Sequence, residues 1–363
     1  MAEQPPAAIS RRSRVRLAVQ IAVSLVLVVV IFYFLLKKID LSQAWTAIAD
    51  MTWLELTILG LLAIWNLCTY AFVWMAVTPA PRLSFGHAMV MTQSSTAVAN
   101  TVPGGGAIGI GMTYSMLGSW GYSRSKATTA VLVSGVWNSF IKLGMPVLAV
   151  ALVALQGNAT GGRVAAALAG IGGLAAAIVV FALMLRSEQV ARRVGELAGQ
   201  AASWARRPLR RPRVHGWELA TVKFRNRTVD LLSRGWLAIT VASLVSHLSL
   251  YLVLLVALRD VGVSDAEVSW AEVLAAFAFA RLTTAIPFTP GGLGVVEVVL
   301  IATLVATGGD RAQVAAAVLV YRALTWGLPI LVGVGTYLWW RRQSLLTAAH
   351  DRTATVGSYP PPG

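Results

Sequence analysis

The sequence contains Val102-Pro103-Gly104-Gly105-Gly106 and, 187 residues later, Thr289-Pro290-Gly291-Gly292-Leu293. Each copy lies inside a hydrophobic stretch and is followed by an apolar run, an arginine (Arg124 or Arg311) and another apolar segment. Duplicated segments with broken helices are typical of transporters, because irregular backbone at membrane depth is tolerated only where it lines a cavity. The repeated turn therefore predicts one membrane unit used twice.

The composition is that of an integral membrane protein. Hydrophobic residues make up 57% of the chain and charged residues only 12%, well below the roughly 25% charged content of soluble domains. Six apolar segments meet the length of about 20 residues that a spanning helix needs. They are Leu17 to Leu36, Leu54 to Val77, Ala127 to Leu155, Val164 to Leu185, Trp236 to Leu258 and Ala312 to Trp340. Two further apolar segments, 85–117 and 270–307, contain the Pro-Gly-Gly turns.

The basic residues predict the topology. Four arginines within residues 11–16 precede the first span, which has no small-residue cleavage site, so we expect an uncleaved anchor with a cytoplasmic N-terminus. With about six crossings and two hairpins that each enter and leave at one face, 22 Lys and Arg residues fall on the cytoplasmic side and five outside. This bias follows the positive-inside rule and also places the C-terminus in the cytoplasm. It explains the net charge of +15 without a nucleic-acid partner.

The two hairpins are expected to enter the membrane from opposite faces, because three crossings separate them. We therefore predict an all-α membrane protein with inverted repeats, about six spanning helices and two re-entrant helical hairpins. The alternative, which charge counting does not separate, is that both arms of each hairpin cross fully and the turn lies at the far surface. The predicted organisation is a basic cytoplasmic N-terminus (1–16), a first repeat (17–155), a second repeat (164–340) with a basic cytoplasmic loop (186–235), and a disordered cytoplasmic tail (341–363).

Each turn offers a place for an anion. After Gly105 and after Gly292 the chain begins a new helix, whose free N–H groups and positive dipole end would lie inside the membrane. Helix beginnings attract anions, and phosphate in particular. The residues of the two turns are therefore candidate substrate-binding residues: Pro103, Gly104, Gly105, Pro290, Gly291, Gly292 and Gly294.

The second turn lies in Arg281-Leu-Thr-Thr-Ala-Ile-Pro-Phe-Thr-Pro290-Gly-Gly-Leu-Gly294-Val-Val-Glu297, which resembles the P-x-x-P-G-G-x-G-x-x-E element of a flippase-like family. This family includes the membrane half of the lysyl-phosphatidylglycerol synthetases, and the resemblance extends over residues 17–340. The resemblance implies movement of a lipid head group between leaflets, or work on lipid-linked sugars. Two departures limit it. Residues 107–112 lack the charged pair that many members carry after the first turn, and only a short tail follows Trp340, so we expect no aminoacyl transfer by this chain.

Four charged residues fall within the apolar segments. A charged side chain at the bilayer centre costs at least roughly 2.5 to 3.5 kcal/mol, so such residues are usually functional or paired. They are Lys142, Arg281, Glu297 and Arg322. In the functional interpretation the three cations attract an anionic head group while Glu297 balances them or exchanges a proton. In the structural alternative Arg281 and Glu297 form a buried pair that fixes the hairpin, and Arg322 packs onto carbonyls near Pro329.

The sequence contains no zinc-like spacing, P-loop, nucleophile elbow or paired acidic motif. We therefore expect a transporter rather than an enzyme, with no metal and no cofactor. The predicted function is transfer of an anionic phospholipid or a polyprenyl-phosphate-linked sugar across the cytoplasmic membrane, with membrane lipids as the partners. Two alternatives are an accessory protein that holds a lipid-linked substrate for a glycosyltransferase, and a secondary transporter for a small solute.

Overall fold

The computed structural model describes residues 41–102, 104–155, 161–206, 216–284 and 289–356, and the regular structure within these ranges is entirely helical. The first predicted span (Leu17 to Leu36) and Pro103 lie outside the described residues. The helices are α1 (Leu41–Ala49), α2 (Trp53–Val77), α3 (Phe85–Thr101), α4 (Gly105–Ser119), α5 (Arg124–Leu155), α6 (Gly161–Arg186), α7 (Glu188–Arg206), α8 (Trp217–Asp260), α9 (Trp270–Thr283), α10 (Val295–Ala306), α11 (Arg311–Arg322) and α12 (Leu328–Val356).

Four helical segments in the described part of the chain are long and apolar enough to cross a membrane. They are Trp53–Val77, Arg124–Leu155, Gly235–Asp260 and Arg311–Leu345, and each coincides with a span predicted from the sequence. The predicted span Val164 to Leu185 coincides with α6, whose described apolar part is shorter. The last of the four segments comprises α11, a π-helical turn (Ala323–Gly327) and the first part of α12.

Both Pro-Gly-Gly turns join a pair of packed helices. Helices α3 and α4 meet at Gly104, whose φ of +70° favours glycine, and they pack closely along their lengths. A Cβ at Gly105 would collide with the Val98 carbonyl, and one at Gly109 would lie 2.7 Å from the Ser95 carbonyl oxygen. Glycines four residues apart thus let the α4 backbone approach α3, as small residues do at membrane helix interfaces. Helices α9 and α10 form the second pair.

The Gly109→Ala variant is expected to destabilise the first helical pair. The added methyl group meets backbone rather than a flexible side chain, and overpacking of this kind costs about 1 to 3 kcal/mol. The matched control is Gly111→Ala in the same helix, where a Cβ meets nothing within 4 Å and alanine is the better helix former. Thermal unfolding of the two purified variants in detergent tests this. Equal melting temperatures would show that α3 and α4 do not pack at this glycine.

The helices form a connected bundle. Helix α2 packs along α8, α3 packs along α12, and α9 packs along α5. Polar side chains add to these contacts: Asn66 on α2 donates to the Ser249 hydroxyl (2.5 Å) and to the Ser246 carbonyl (3.2 Å) on α8. Hydrogen bonds of this kind between helices are common in membrane proteins. The largest buried cluster is made mostly by α8, α9, α10 and α11.

One segment is more helical than the sequence predicts. Helix α12 continues to Val356, whereas a disordered tail is predicted from residue 341. Residues 341–356 contain no glycine or proline, and Gly357 follows at the first position that favours termination. The predicted basic loop 186–235 contains α7 and the first part of α8, which pack together through Gly195. The arginines between α7 and α8 lie outside the described residues.

Candidate functional site

The second turn depends on three glycines with positive φ. Gly291, Gly292 and Gly294 have φ values of +59°, +71° and +83°, a region that other residues rarely adopt. Pro290 begins a short 3-10 turn, and α10 begins at Val295. The α10 beginning therefore lies just after the turn, as the sequence predicts, and its first N–H groups have no side-chain cap.

A buried ion pair lies beside this turn. Arg322, the last residue of α11, donates from Nε to Glu297 Oε1 (2.7 Å) and from Nη2 to the Gly291 carbonyl oxygen (3.3 Å). The Glu297 side chain is 2% exposed and that of Arg322 is 12% exposed. Glu297 also lies in the first turn of α10, where a carboxylate interacts favourably with the positive end of the helix dipole. Glu297 thus partly neutralises the positive helix end that the sequence predicts as an anion site.

The contacts that the structural alternative predicts for Glu297 and Arg322 are wrong. Glu297 pairs with Arg322 rather than with Arg281, and Arg322 binds the carbonyl of Gly291 rather than carbonyls near Pro329. The reason is the packing of α11 against α10, which brings the end of α11 to the beginning of α10. Arg281 lies on α9, and its buried Nε has no hydrogen-bond partner among the described residues.

The turn also contacts the first hairpin. A Cβ at Gly291 would lie 2.6 Å from Asn100 Oδ1 at the end of α3 and 2.7 Å from Trp326 Nε1 in the π-helical turn. The Arg322 guanidinium lies 5.8 Å from the centre of the Trp326 ring, within the range of a cation–π interaction. Single π-helical turns inside α-helices are frequent at functional sites. The two hairpins therefore meet where the second turn, Asn100 and Trp326 come together.

The Gly291→Ala variant is expected to destabilise this contact, by about 1 to 3 kcal/mol through overpacking and by about 1 to 2 kcal/mol through the left-handed backbone. Gly335→Ala is the matched control, because Gly335 lies in α12 with nothing within 4 Å of a built Cβ. The measurement is the thermal midpoint of each purified variant in detergent. A Gly291→Ala variant as stable as Gly335→Ala would contradict the close approach of the hairpins.

The other two cations lie together on a neighbouring part of the site. Lys142 on α5 donates from Nζ to the Thr284 hydroxyl (3.0 Å) at the end of α9. Lys142 and Arg281 lie within electrostatic range of each other and of His247 on α8. Tyr321, which is buried, lies within range of both Arg281 and Arg322. The described charged residues of this group are thus three cations and one carboxylate, so that positive charge is in excess.

Two cavities open along the same three helices, α2, α5 and α8. The smaller, of about 290 Å³, is lined by hydroxyl-bearing residues, Asn138, His247 and the first turn of α4 at Gly106. The larger, of about 1020 Å³, has three basic residues and one acidic residue on its wall: Arg82, Lys126, Arg227 and Asp230. On α5 the larger cavity ends at Thr129 and the smaller begins at Ser134. The apolar residues Ala130 and Val133 lie between them and are fully buried.

The structure brings together only part of the predicted site. Lys142, Arg281, Glu297, Arg322 and the glycines of the second turn form one group. Gly104 and Gly105 serve the junction of α3 and α4, and Pro103 lies outside the described residues. Sequence reasoning missed Asn100, Trp326, Thr284, Ser243 and Ser246. Trp326 follows Arg322 by four residues and Asn100 precedes Pro103 by three, which are the signals that point to these two.

Among the described residues, no group of three or more His, Cys, Asp or Glu side chains is placed to hold a metal ion. The family model described as "Lysylphosphatidylglycerol synthase TM region" matches residues 20–333 of the chain. This match includes both turns and every charged residue of the group described above. No curated protein matches the chain.

Proposed function

Because the chain belongs to the family of the lysylphosphatidylglycerol synthase transmembrane region, we propose that it moves a lipid with an anionic head group between the leaflets of the cytoplasmic membrane. The family places the chain among membrane proteins with a lipid-related function. The proposed substrate is an anionic phospholipid or a polyprenyl-phosphate-linked sugar. The proposed process is transport without covalent chemistry, and so without a cofactor.

The observation that carries this proposal is the excess of partly buried positive charge near the second turn. Lys142 and Arg281 have no described carboxylate of their own, since Arg322 takes the only carboxylate of the group. Unbalanced charge in a membrane interior is costly and persists where it serves a substrate or ion pathway. An anionic head group would neutralise these cations as it passes. Glu297 already interacts with the positive end of the α10 dipole. We therefore propose that the unpaired cations, rather than that helix end, attract the anion.

The helix packing supports inverted repeats with re-entrant hairpins. Helix α3 of the first hairpin packs along the last spanning segment of the second repeat, and α9 of the second hairpin packs along α5, the last span of the first. An exchange of equivalent elements of this kind is expected from a pseudo-two-fold axis. The hairpin arms contain 17, 15, 14 and 12 residues. At 1.5 Å per residue they are shorter than a hydrocarbon core of about 30 Å.

The larger cavity supports an entrance on the cytoplasmic side. Its basic residues lie in the segments for which the positive-inside rule predicts a cytoplasmic position. Arginine and lysine at such a mouth would attract anionic lipid from the inner leaflet. We place both termini in the cytoplasm on the same argument. Transport across the apolar layer at Ala130 and Val133 would require α5 to move relative to its neighbours.

The proposal is tested by identifying the lipids that copurify with the protein and then measuring their transfer in vesicles. The protein is purified in mild detergent, its lipids are identified by mass spectrometry, and fluorescent analogues of the enriched species are added to reconstituted vesicles. We expect enrichment of anionic lipid and faster transfer than in protein-free vesicles. Enrichment without transfer would instead favour an accessory role beside a lipid-linked glycosyltransferase. Uptake of a soluble anion without lipid transfer would favour a small-solute transporter.

A further inference from the structure

The smaller cavity is lined by both apolar and uncharged polar side chains, with no described charged residue on its wall. Its lining includes Thr96, Ser134, Asn138, Ser243, Ser246 and His247, and none of the described residues around it is Asp, Glu, Lys or Arg. Uncharged hydroxyl and amide groups exchange hydrogen bonds with other uncharged polar groups. The polar part of the wall is therefore suited to hydroxyl groups rather than to an ion.

Three side chains of α8 that line this cavity have hydrogen-bonding atoms without a described partner. Ser243 Oγ, Ser246 Oγ and His247 Nε2 are buried, and none has a partner among the described residues. All three residues line the cavity and are at most 4% exposed. Buried polar atoms normally have a partner, so three unsatisfied atoms within about one helical turn indicate a ligand.

His247 is held in an orientation that suits a hydroxyl donor. Its Nδ1 lies 2.9 Å from the Ser243 carbonyl oxygen, which only accepts. In the neutral ring Nδ1 therefore carries the proton, and Nε2 is an acceptor. The two serines each supply a hydroxyl that both donates and accepts. This combination matches the vicinal hydroxyls of a polyol.

The charge beside the cavity separates two classes of head group. Lys142 follows the cavity residue Asn138 by about one turn of α5 and bonds Thr284, which follows Arg281 by three residues. Glu297 is already bound to Arg322. A phosphate would be attracted to the two unpaired cations, whereas an ammonium group would be repelled by them. A head group that combines a phosphate with uncharged hydroxyls satisfies both parts of the site.

We propose that the smaller cavity binds the uncharged, hydroxyl-bearing part of a phosphate-linked head group, a glycerol or a sugar ring, and that lipids with a free amine are rejected. The phosphate faces Lys142 and Arg281, and the hydroxyls bond Ser243, Ser246 and His247. This inference rests on the proposed lipid transport and specifies its substrate class.

The first test compares head groups in vesicles that contain the full-length protein. The probes are acyl-labelled phosphatidylglycerol, phosphatidylinositol, phosphatidylethanolamine and the lysine ester of phosphatidylglycerol. We expect transfer of one or both polyol lipids to exceed transfer of both amine-bearing lipids by roughly tenfold or more. Glycerol and sugar are distinguished by which polyol lipid is faster. Equal transfer of polyol and amine-bearing lipids would overturn this inference and leave the proposed function standing, whereas no transfer of any lipid would overturn both.

The second test removes the hydroxyls. In the S243V/S246V variant we expect transfer of phosphatidylglycerol to fall roughly tenfold relative to transfer of phosphatidate, which has the phosphate but no polyol, since each lost hydrogen bond contributes roughly half to one decade. The control is Ser139→Val on α5, an exposed serine outside the cavity. A merely misfolded variant would lose both lipids in proportion. An unchanged ratio of the two rates would therefore contradict the inference, whether or not the variant is fully active.

Discussion

Glu297→Gln is expected both to abolish lipid transfer and to destabilise the protein strongly. The substitution keeps the shape of the side chain but leaves the Arg322 guanidinium, which bonds Glu297 Oε1 at 2.7 Å, buried without a carboxylate. Removing one partner of a buried pair costs roughly 3 to 5 kcal/mol. The expected result is a large fall in the thermal midpoint of the purified protein, with no transfer above the rate of protein-free vesicles.

An exposed ion pair of the same chain is the matched control. Arg259 and Asp265 also meet at 2.7 Å, but their side chains are 27% and 62% exposed. Exposed pairs contribute only about 0 to 1 kcal/mol, so Asp265→Asn is expected to change stability little. The double variant Glu297→Gln/Arg322→Gln should recover much of the lost stability, because no uncompensated charge remains. Equal losses for Glu297→Gln and Asp265→Asn would show that the buried pair is not a structural element.

Neutralising Lys142 or Arg281, the two cations without a described carboxylate, is expected to slow lipid transfer without lowering stability. In Arg281→Gln and Lys142→Gln we expect transfer of anionic lipid to fall roughly 10- to 100-fold, since a hydrogen bond to a charged group contributes about 1.5 to 3 kcal/mol. Stability should be unchanged or higher, because Arg281 Nε is buried without a partner among the described residues. Lys142 does bond Thr284, and glutamine retains a donor for that hydroxyl. The measurements are transfer in vesicles and the thermal midpoint in detergent.

Arg281→Lys is the control for charge, because it keeps a cation at the same position of α9. It should retain much of the transfer that Arg281→Gln loses. If Arg281→Gln instead transfers lipid at the wild-type rate, Arg281 has no part in transport. If it unfolds as readily as Glu297→Gln, the role of Arg281 is to stabilise the second hairpin rather than to bind the lipid.

The local elements were predictable from sequence because they depend on short-range rules. Four spanning segments follow from apolar length alone, and the break between α9 and α10 follows from the Pro-Gly-Gly sequence. The clustering of Lys142, Arg281, Glu297 and Arg322 was indicated by the cost of charge in apolar segments. The orientation of the repeats and of the hairpins relative to a membrane stays a prediction.

The pairing within the cluster was not predictable. Glu297 follows Gly291 by six residues and Arg281 precedes it by ten. On two antiparallel arms these two side chains would lie at similar depths, which favours them as partners. The observed partner is Arg322, because α11 packs beside α10 and ends at the height where α10 begins. Helix packing of this kind depends on side chains distant in sequence. The smaller cavity was missed for the same reason. Ser243 and Ser246 line it only because α8 faces Asn138 and the beginning of α4.

The most direct test of the account is the transfer of a labelled anionic phospholipid in vesicles that contain either the wild-type protein or Arg281→Gln at equal density. The account predicts transfer faster than in protein-free vesicles for the wild type, and a loss of most of that gain in the variant, with both proteins equally stable. Wild-type vesicles that transfer anionic lipid no faster than protein-free vesicles would contradict it. Equal acceleration by the wild type and by Arg281→Gln would contradict the role of the buried cations.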